Sequence, residues 1–430
     1  MNKTIFAILL TFLFASAFQM PGEGKSNRQP SDIINKSVKA RIDATLKSFI
    51  DSNKIVGVSA LVFEKGKEVY YNAFGKADRE ANVPMDRNAI VRIYSMTKPV
   101  TGVALMTLYD KGAFQLDDPL SKYAPEFRDM KVYKGVDASG NLILEPAKRQ
   151  ITIRDITRHT AGFATGADAP GLNELVRKAD VDNPNNTLAQ FAAKLAALPL
   201  QFHPGEEWAY GPSVDVQAYL VEKLSGKAFD KYLKEKIFDP LGMRNTGHQV
   251  AQSNLKRFAA MYNRSEAGVL TREPDESANR LHTKDWPLKR GGAGLTSTLD
   301  DYMKFAQMLV HEGTLGKAKI LKPETVRLMA TSHLSDDITK RMWLPSKGSV
   351  GFGIDFAVRT RPPANSNENN GVVGEFFWDG AASTLFWVDP VNELTAVLFT
   401  QLQPFDRVKL HKRFRDAIYG EYDSKATAKQ

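Results

Sequence analysis

Runs with strand texture lie near the two ends of this 430-residue chain, with a mostly helical stretch between them, and that separation limits the folds open to it. Near the N-terminus, Val56-Gly-Val-Ser-Ala-Leu-Val-Phe63 and Glu68-Val-Tyr-Tyr-Asn-Ala-Phe-Gly75 are rich in β-branched and aromatic residues, and Lys65-Gly66-Lys67 between them predicts a hairpin. Strand texture returns only in the last third, at Gly351 to Val358, Ser383 to Val388 and Glu393 to Gln401. Apolar residues at Ile34, Val38, Ile42, Leu46 and Ile50 mark an amphipathic helix before the hairpin, and a second such helix is expected from about Phe405 to Ile418. From Gly112 to about Arg290 the pattern is mostly helical, broken by Gly and Pro, with helices expected at Leu188 to Leu198 and at Val214 to Leu224. The expectation is an α+β fold, an antiparallel sheet flanked by terminal helices and interrupted by a mostly helical insertion. Its parts would be a sheet domain from 32–112 and 291–421, a helical domain at 113–290, and a tail at 422–430.

At 43% hydrophobic residues the chain can bury a sizeable core. The first residues differ in kind. Lys3, the apolar run Ile5 to Phe14 and the small residues Ala15-Ser-Ala17 have the order of a secretory signal peptide, so residues 1–17 are expected to direct export to the periplasm or medium. The run is too short to span a bilayer. Residues 18–31, rich in Gly, Pro, Ser and Asn, read as a linker. The sequence contains no cysteine, which removes disulfides, zinc-thiolate and iron-sulfur sites from consideration. A formal charge of +9 is spread without a long basic block, and no nucleic-acid partner is expected.

Chemistry concentrates in Tyr94-Ser-Met-Thr-Lys-Pro-Val100. Ser95 and Lys98 stand three residues apart at the start of an apolar helix that stops at Gly112, a spacing that puts both side chains on one face. A serine hydroxyl needs a base to take its proton, and a lysine serves if its surroundings hold it neutral. A helix start also presents backbone N–H groups to a developing oxyanion. Ser253-Asn-Leu-Lys256 has the same spacing but lies in a polar stretch. Lys98 precedes Pro99, and a residue before proline avoids helical angles, so the helix start carries a local conflict.

Five motifs in order, Ser95-Met-Thr-Lys98, Arg158-His-Thr-Ala-Gly-Phe163, Phe202-His-Pro-Gly-Glu-Glu-Trp-Ala-Tyr210, Gly291-Gly-Ala-Gly-Leu-Thr-Ser297 and Trp378-Asp-Gly-Ala-Ala-Ser-Thr384, resemble the serine β-lactamase-related family. The similarity is to the branch of class C β-lactamases and the carboxylesterases sharing their fold, and it spans about Asp32 to Tyr419. Ser-x-x-Lys is an established signature of β-lactamases and penicillin-binding proteins. The resemblance implies Ser95 as nucleophile, Lys98 as its partner and Tyr210 as general base. A phenol of pKa about 10 plays that part only beside a cation, which Lys98 would supply. The resemblance also places Trp378-Asp-Gly380 beside the serine, with Gly380 allowing close approach and the Ala381 N–H joining that of Ser95 in an oxyanion hole. Two departures stand out: tryptophan occupies Trp378, where lactamases carry the lysine of Lys-Thr-Gly, and Pro212 occupies a place usually held by asparagine.

There is no Gly-x-Ser-x-Gly elbow, no His-Glu-x-x-His and no phosphate-binding Gly-x-x-x-x-Gly-Lys loop, and His159 is expected to be structural. The reading is an exported serine hydrolase, a carboxylesterase acting on a small ester or amide through an acyl-enzyme, without metal or cofactor. The alternatives are a β-lactamase or D-alanyl-D-alanine peptidase, and a non-catalytic envelope protein of the same fold.

Overall fold

The computed structural model describes residues 32–164 and 169–424, so the expected signal peptide, the linker and most of the tail lie outside the described residues. Eight strands form one antiparallel sheet. They are β1 (Gly57–Glu64), β2 (Lys67–Asp78), β3 (Val83–Pro84), β4 (Val350–Phe352), β5 (Ala357–Arg359), β6 (Phe376–Gly380), β7 (Thr384–Asp389) and β8 (Leu394–Phe399). Their order across the sheet is β4-β5-β6-β7-β8-β1-β2-β3, so the two ends of the chain meet where β8 pairs with β1, Ser59 opposite Phe399. The predicted β1–β2 hairpin turns through Lys65 and Gly66, both at positive φ.

Neighbouring residues of β7 show how the sheet is covered. Side chains alternate between faces along a strand. Phe386 meets Tyr302 at 5.0 Å between ring centroids, on helix α4 (Leu299–Val310), while Trp387 meets Phe414 at 5.4 Å, on the closing helix α5 (Leu410–Tyr419). With both faces buried, the central strands have no polar side to show, which is why β8 reads as the unbroken run Leu-Thr-Ala-Val-Leu-Phe. Each large side chain so buried contributes roughly 1.5–3 kcal/mol. Helix α1 (Lys36–Asp51) buries Val38, Ile42, Leu46 and Phe49, and Arg41 Nε donates to the Ala417 carbonyl of α5 at 2.7 Å, joining the two terminal helices.

Between the sheet segments run helix α2 (Thr97–Tyr109) and helix α3 (Ser213–Ser225), the latter closed by Gly226 in the left-handed region. Three expectations are corrected. Gly351 to Val358 is not one strand but the hairpin β4–β5, because Asp355 at φ 60° turns the chain. The mostly helical middle contains a hairpin of Lys131–Val136 with Leu142–Pro146, two short strands of which only Val132 is buried. The closing helix begins at Leu410, since Pro404 and the positive-φ residues Asp406 and Lys409 hold the preceding chain in a turn. Among the described residues, no helix is long and apolar enough to cross a membrane.

Candidate active site

Ser95 sits in a 3-10 turn, Tyr94–Met96, that leads directly into α2. Tyr94 is held at φ 42°, a conformation costly for a side chain of that size. Surrounding groups hold the turn: Tyr302 Oη donates to the Met96 carbonyl at 2.8 Å, and the Leu295 N–H donates to Thr97 Oγ1 at 3.1 Å. Pro99 is the third residue of α2. In a first turn the N–H groups have no intrahelical acceptor, so proline loses nothing there, and Lys98 is helical despite preceding it.

Lys98 is buried, its Nζ 3.3 Å from Ser95 Oγ and donating to the Gly292 carbonyl at 2.6 Å. Burial lowers its pKa from 10.5 to about 7, against the opposing pull of the Asp215 carboxylate. Asp215, on α3, accepts from the Gly292 N–H at 2.9 Å and from Arg290 Nη2 at 2.8 Å. Gly292, whose carbonyl receives the Lys98 ammonium, is therefore tied through its N–H to the carboxylate that most favours that charge. None of the sequence motifs identified Asp215, since its partner Gly292 lies 77 residues away.

Tyr210 lies on the other side of the serine. Its ring centroid is 4.3 Å from Lys98 Nζ, its hydroxyl accepts from Trp378 Nε1 at 3.3 Å, and it lines the same cleft as Ser95. Burial pushes the phenol above its ordinary pKa, and the nearby Ser95 hydroxyl and the Trp378 indole N–H only partly offset this. Burial thus acts on the pair in opposite directions, favouring the protonated phenol and the neutral amine. His159 backs the Tyr210 ring at 4.8 Å and contacts Trp208 and Phe352. Its imidazole is fully buried, held neutral by that burial, and neither ring nitrogen has a hydrogen-bond partner among the described residues.

Strand β6 brings the remaining predicted residues to the serine. A side chain at Gly380 would place its Cβ 2.3 Å from the Ile93 carbonyl, so only glycine lets β6 lie this close to the turn that carries Ser95. Ala381 follows at the start of the β6–β7 turn and lines one cleft of about 400 Å³ with Ser95, Tyr210 and Trp378. Trp343, Ser346, Lys347, Asp379 and Phe405 complete that cleft; of these only Asp379 falls within a motif, and none was given a role by the sequence. A larger cavity of about 440 Å³ touches Tyr94, His248 and Trp286 but not Ser95, Lys98 or Tyr210. The second Ser-x-x-Lys, at Ser253 and Lys256, lies exposed on a surface 3-10 helix. Among the described residues there is no cluster of acidic and histidine side chains suited to a metal ion.

An antiparallel sheet with a serine and a buried lysine at the foot of a neighbouring helix is the architecture of the β-lactamase-fold serine hydrolases. The chain belongs to the Beta-lactamase family, whose profile matches residues 42–420. It is similar to Protein Rv1367c of Mycobacterium tuberculosis, with 33% identity over 84% of this chain and 89% of the relative. It is similar as well to Esterase EstB of Burkholderia gladioli, at 27% identity over 89% of this chain and 95% of that one. Among solved structures, EstCE1, described as a hydrolase with promiscuous acyltransferase activity, superposes with a TM-score of 0.73 at 26% identity, covering 89% of this chain and 99% of that one.

Proposed function

We propose that this protein is an exported carboxylesterase that cleaves uncharged esters through an acyl-enzyme on Ser95. One observation carries the reading: Lys98 Nζ lies 3.3 Å from Ser95 Oγ with its pKa brought to about 7, so an amine able to take the serine proton is present at neutral pH. Ser95 Oγ attacks the ester carbonyl as Lys98 accepts its proton. The N–H groups of Ser95 and Ala381 hold the oxyanion. Tyr210, protonated in the free enzyme, gives its proton to the departing alkoxide and is recharged by the Lys98 ammonium against its ring. Water then attacks the acyl carbon by the same groups in reverse, releasing the acid. Trp378 holds the Tyr210 hydroxyl and Gly380 sets the distance from β6 to the nucleophile.

The likeness to an esterase of Burkholderia gladioli and to a hydrolase with acyltransferase activity supports ester chemistry over lactam chemistry. So do Trp378 in place of a lysine and Pro212 in place of an asparagine. Export rests on the composition of residues 1–17. The test is turnover of p-nitrophenyl butyrate beside nitrocefin. Ester turnover is expected to fall at least about 10³-fold in Ser95→Ala. Activity that persists in that variant, or nitrocefin turnover exceeding ester turnover in the native enzyme, rejects the assignment.

A further inference from the structure

The cleft that holds Ser95 also holds an ion pair that the acyl-enzyme steps leave unused. Lys347, at the end of the 3-10 turn Leu344–Lys347, is buried and bonds Asp379 Oδ2 on β6. Its ammonium stands 4.7 Å from the ring centroid of Phe405, 5.2 Å from Trp343 and 5.3 Å from Trp378. Removing an ammonium and a carboxylate from water is costly and is only partly repaid by their attraction. A wall needed only for packing would be built more cheaply from apolar side chains. This pair lines the cleft beside Ser95, and Trp343 and Phe405 at the same wall are 37% and 43% exposed, so part of each ring is left open.

We propose that Lys347 and Asp379 determine the charge preference of the substrate cleft: together they make its wall electroneutral, so that it takes an aromatic or aliphatic substituent without formal charge. The argument is electrostatic. Within a cleft partly shielded from water, a single uncompensated charge changes affinity for a charged group by about tenfold or more. With the two opposite charges in contact, a substrate carboxylate gains from Lys347 what it loses to Asp379, and its desolvation is left unopposed. The three aromatic faces around the ammonium then favour an apolar substituent. Chain position hides this arrangement, because Lys347 and Asp379 are 32 residues apart and the cation enters from a turn rather than from β6.

The inference rests on the esterase reading, and its test separates the two. Ratios of kcat/KM are measured for mono-p-nitrophenyl adipate over p-nitrophenyl hexanoate, which vary the acyl end, and for 4-carboxyphenyl acetate over phenyl acetate, which vary the alcohol end. A ratio taken on one enzyme cancels changes at the nucleophile, which matters because the field of Asp379 also reaches Lys98 and Tyr210. For the end that occupies the cleft, Asp379→Asn is expected to raise the anionic-to-neutral ratio about tenfold and Lys347→Met to lower it about tenfold. The double variant should return it to within about threefold of the native value. Where one single variant does not fold, the other single and the double decide the matter. Ratios that stay fixed for both ester pairs, or that move the same way in both single variants, overturn the proposal and leave the esterase reading standing. A native enzyme that turns over none of the four esters takes both down together.

Discussion

Lys98 is where burial is turned into reactivity. Its ammonium sits within the fold among charges of both signs, and desolvation outweighs the attraction of Asp215, Asp355 and Asp379. A base acts only when unprotonated, so the kcat/KM profile for an ester should rise with pH through about 7 as Lys98 loses its proton. Asp215 raises the lysine's pKa, so Asp215→Asn, which keeps an acceptor for the Gly292 N–H but removes the charge, should move this limb to lower pH by about half a unit to one unit. A pH–rate series on p-nitrophenyl butyrate checks it, and a limb displaced to higher pH would contradict the charge argument. Ser95, Lys98 and Tyr210, which the fold brings together, could be picked out of the sequence because each belongs to a short motif. Asp215, Lys347 and Trp343 could not, because each matters only through a partner on another element.

At the scale of elements, α2 is confined by what packs against it. Gly102 is a mid-helix residue where alanine ordinarily stabilises by about 1 kcal/mol. Here an added Cβ would lie 2.5 Å from Asp355 Oδ2, a buried carboxyl whose other oxygen accepts from Gln217 Nε2 at 3.0 Å. Gly102→Ala should therefore cost about 1–3 kcal/mol in urea denaturation, and the cost should shrink or reverse when Asp355 is also replaced by alanine. The β1–β2 hairpin, the terminal helices and the split between sheet and helical middle could be read from periodicity and turn residues. Asp355 shows what could not: a single left-handed residue that is not itself a glycine, in the turn that follows Gly353, converts an apparent strand into the β4–β5 hairpin. The hairpin at residues 131–146 escaped for another reason, since only Val132 of its two short strands is buried and no regular alternation of core-facing residues marks them.

The whole molecule depends on the two chain ends being joined around the sheet. Glu375, just before β6, is fully buried with two guanidinium groups: Arg359 Nε of β5 at 2.9 Å and Arg415 Nη1 of α5 at 2.8 Å. Removing the carboxylate would leave two buried cations without their counterion, so Glu375→Ala should destabilise the protein by about 3–5 kcal/mol. Chemical denaturation followed by tryptophan fluorescence measures this; a loss below about 1 kcal/mol would show that the closing helix is held by its apolar face alone. The same closure carries β6 to the turn that holds Ser95. The account as a whole turns on the serine at the foot of α2. Its most direct test is to mix the native enzyme with a fluorophosphonate, digest it and locate the adduct by mass spectrometry. One adduct on the peptide containing Ser95, slowed at least about a hundredfold in Lys98→Ala and absent in Ser95→Ala, is the predicted result. Label on any other residue, or on none, would contradict it.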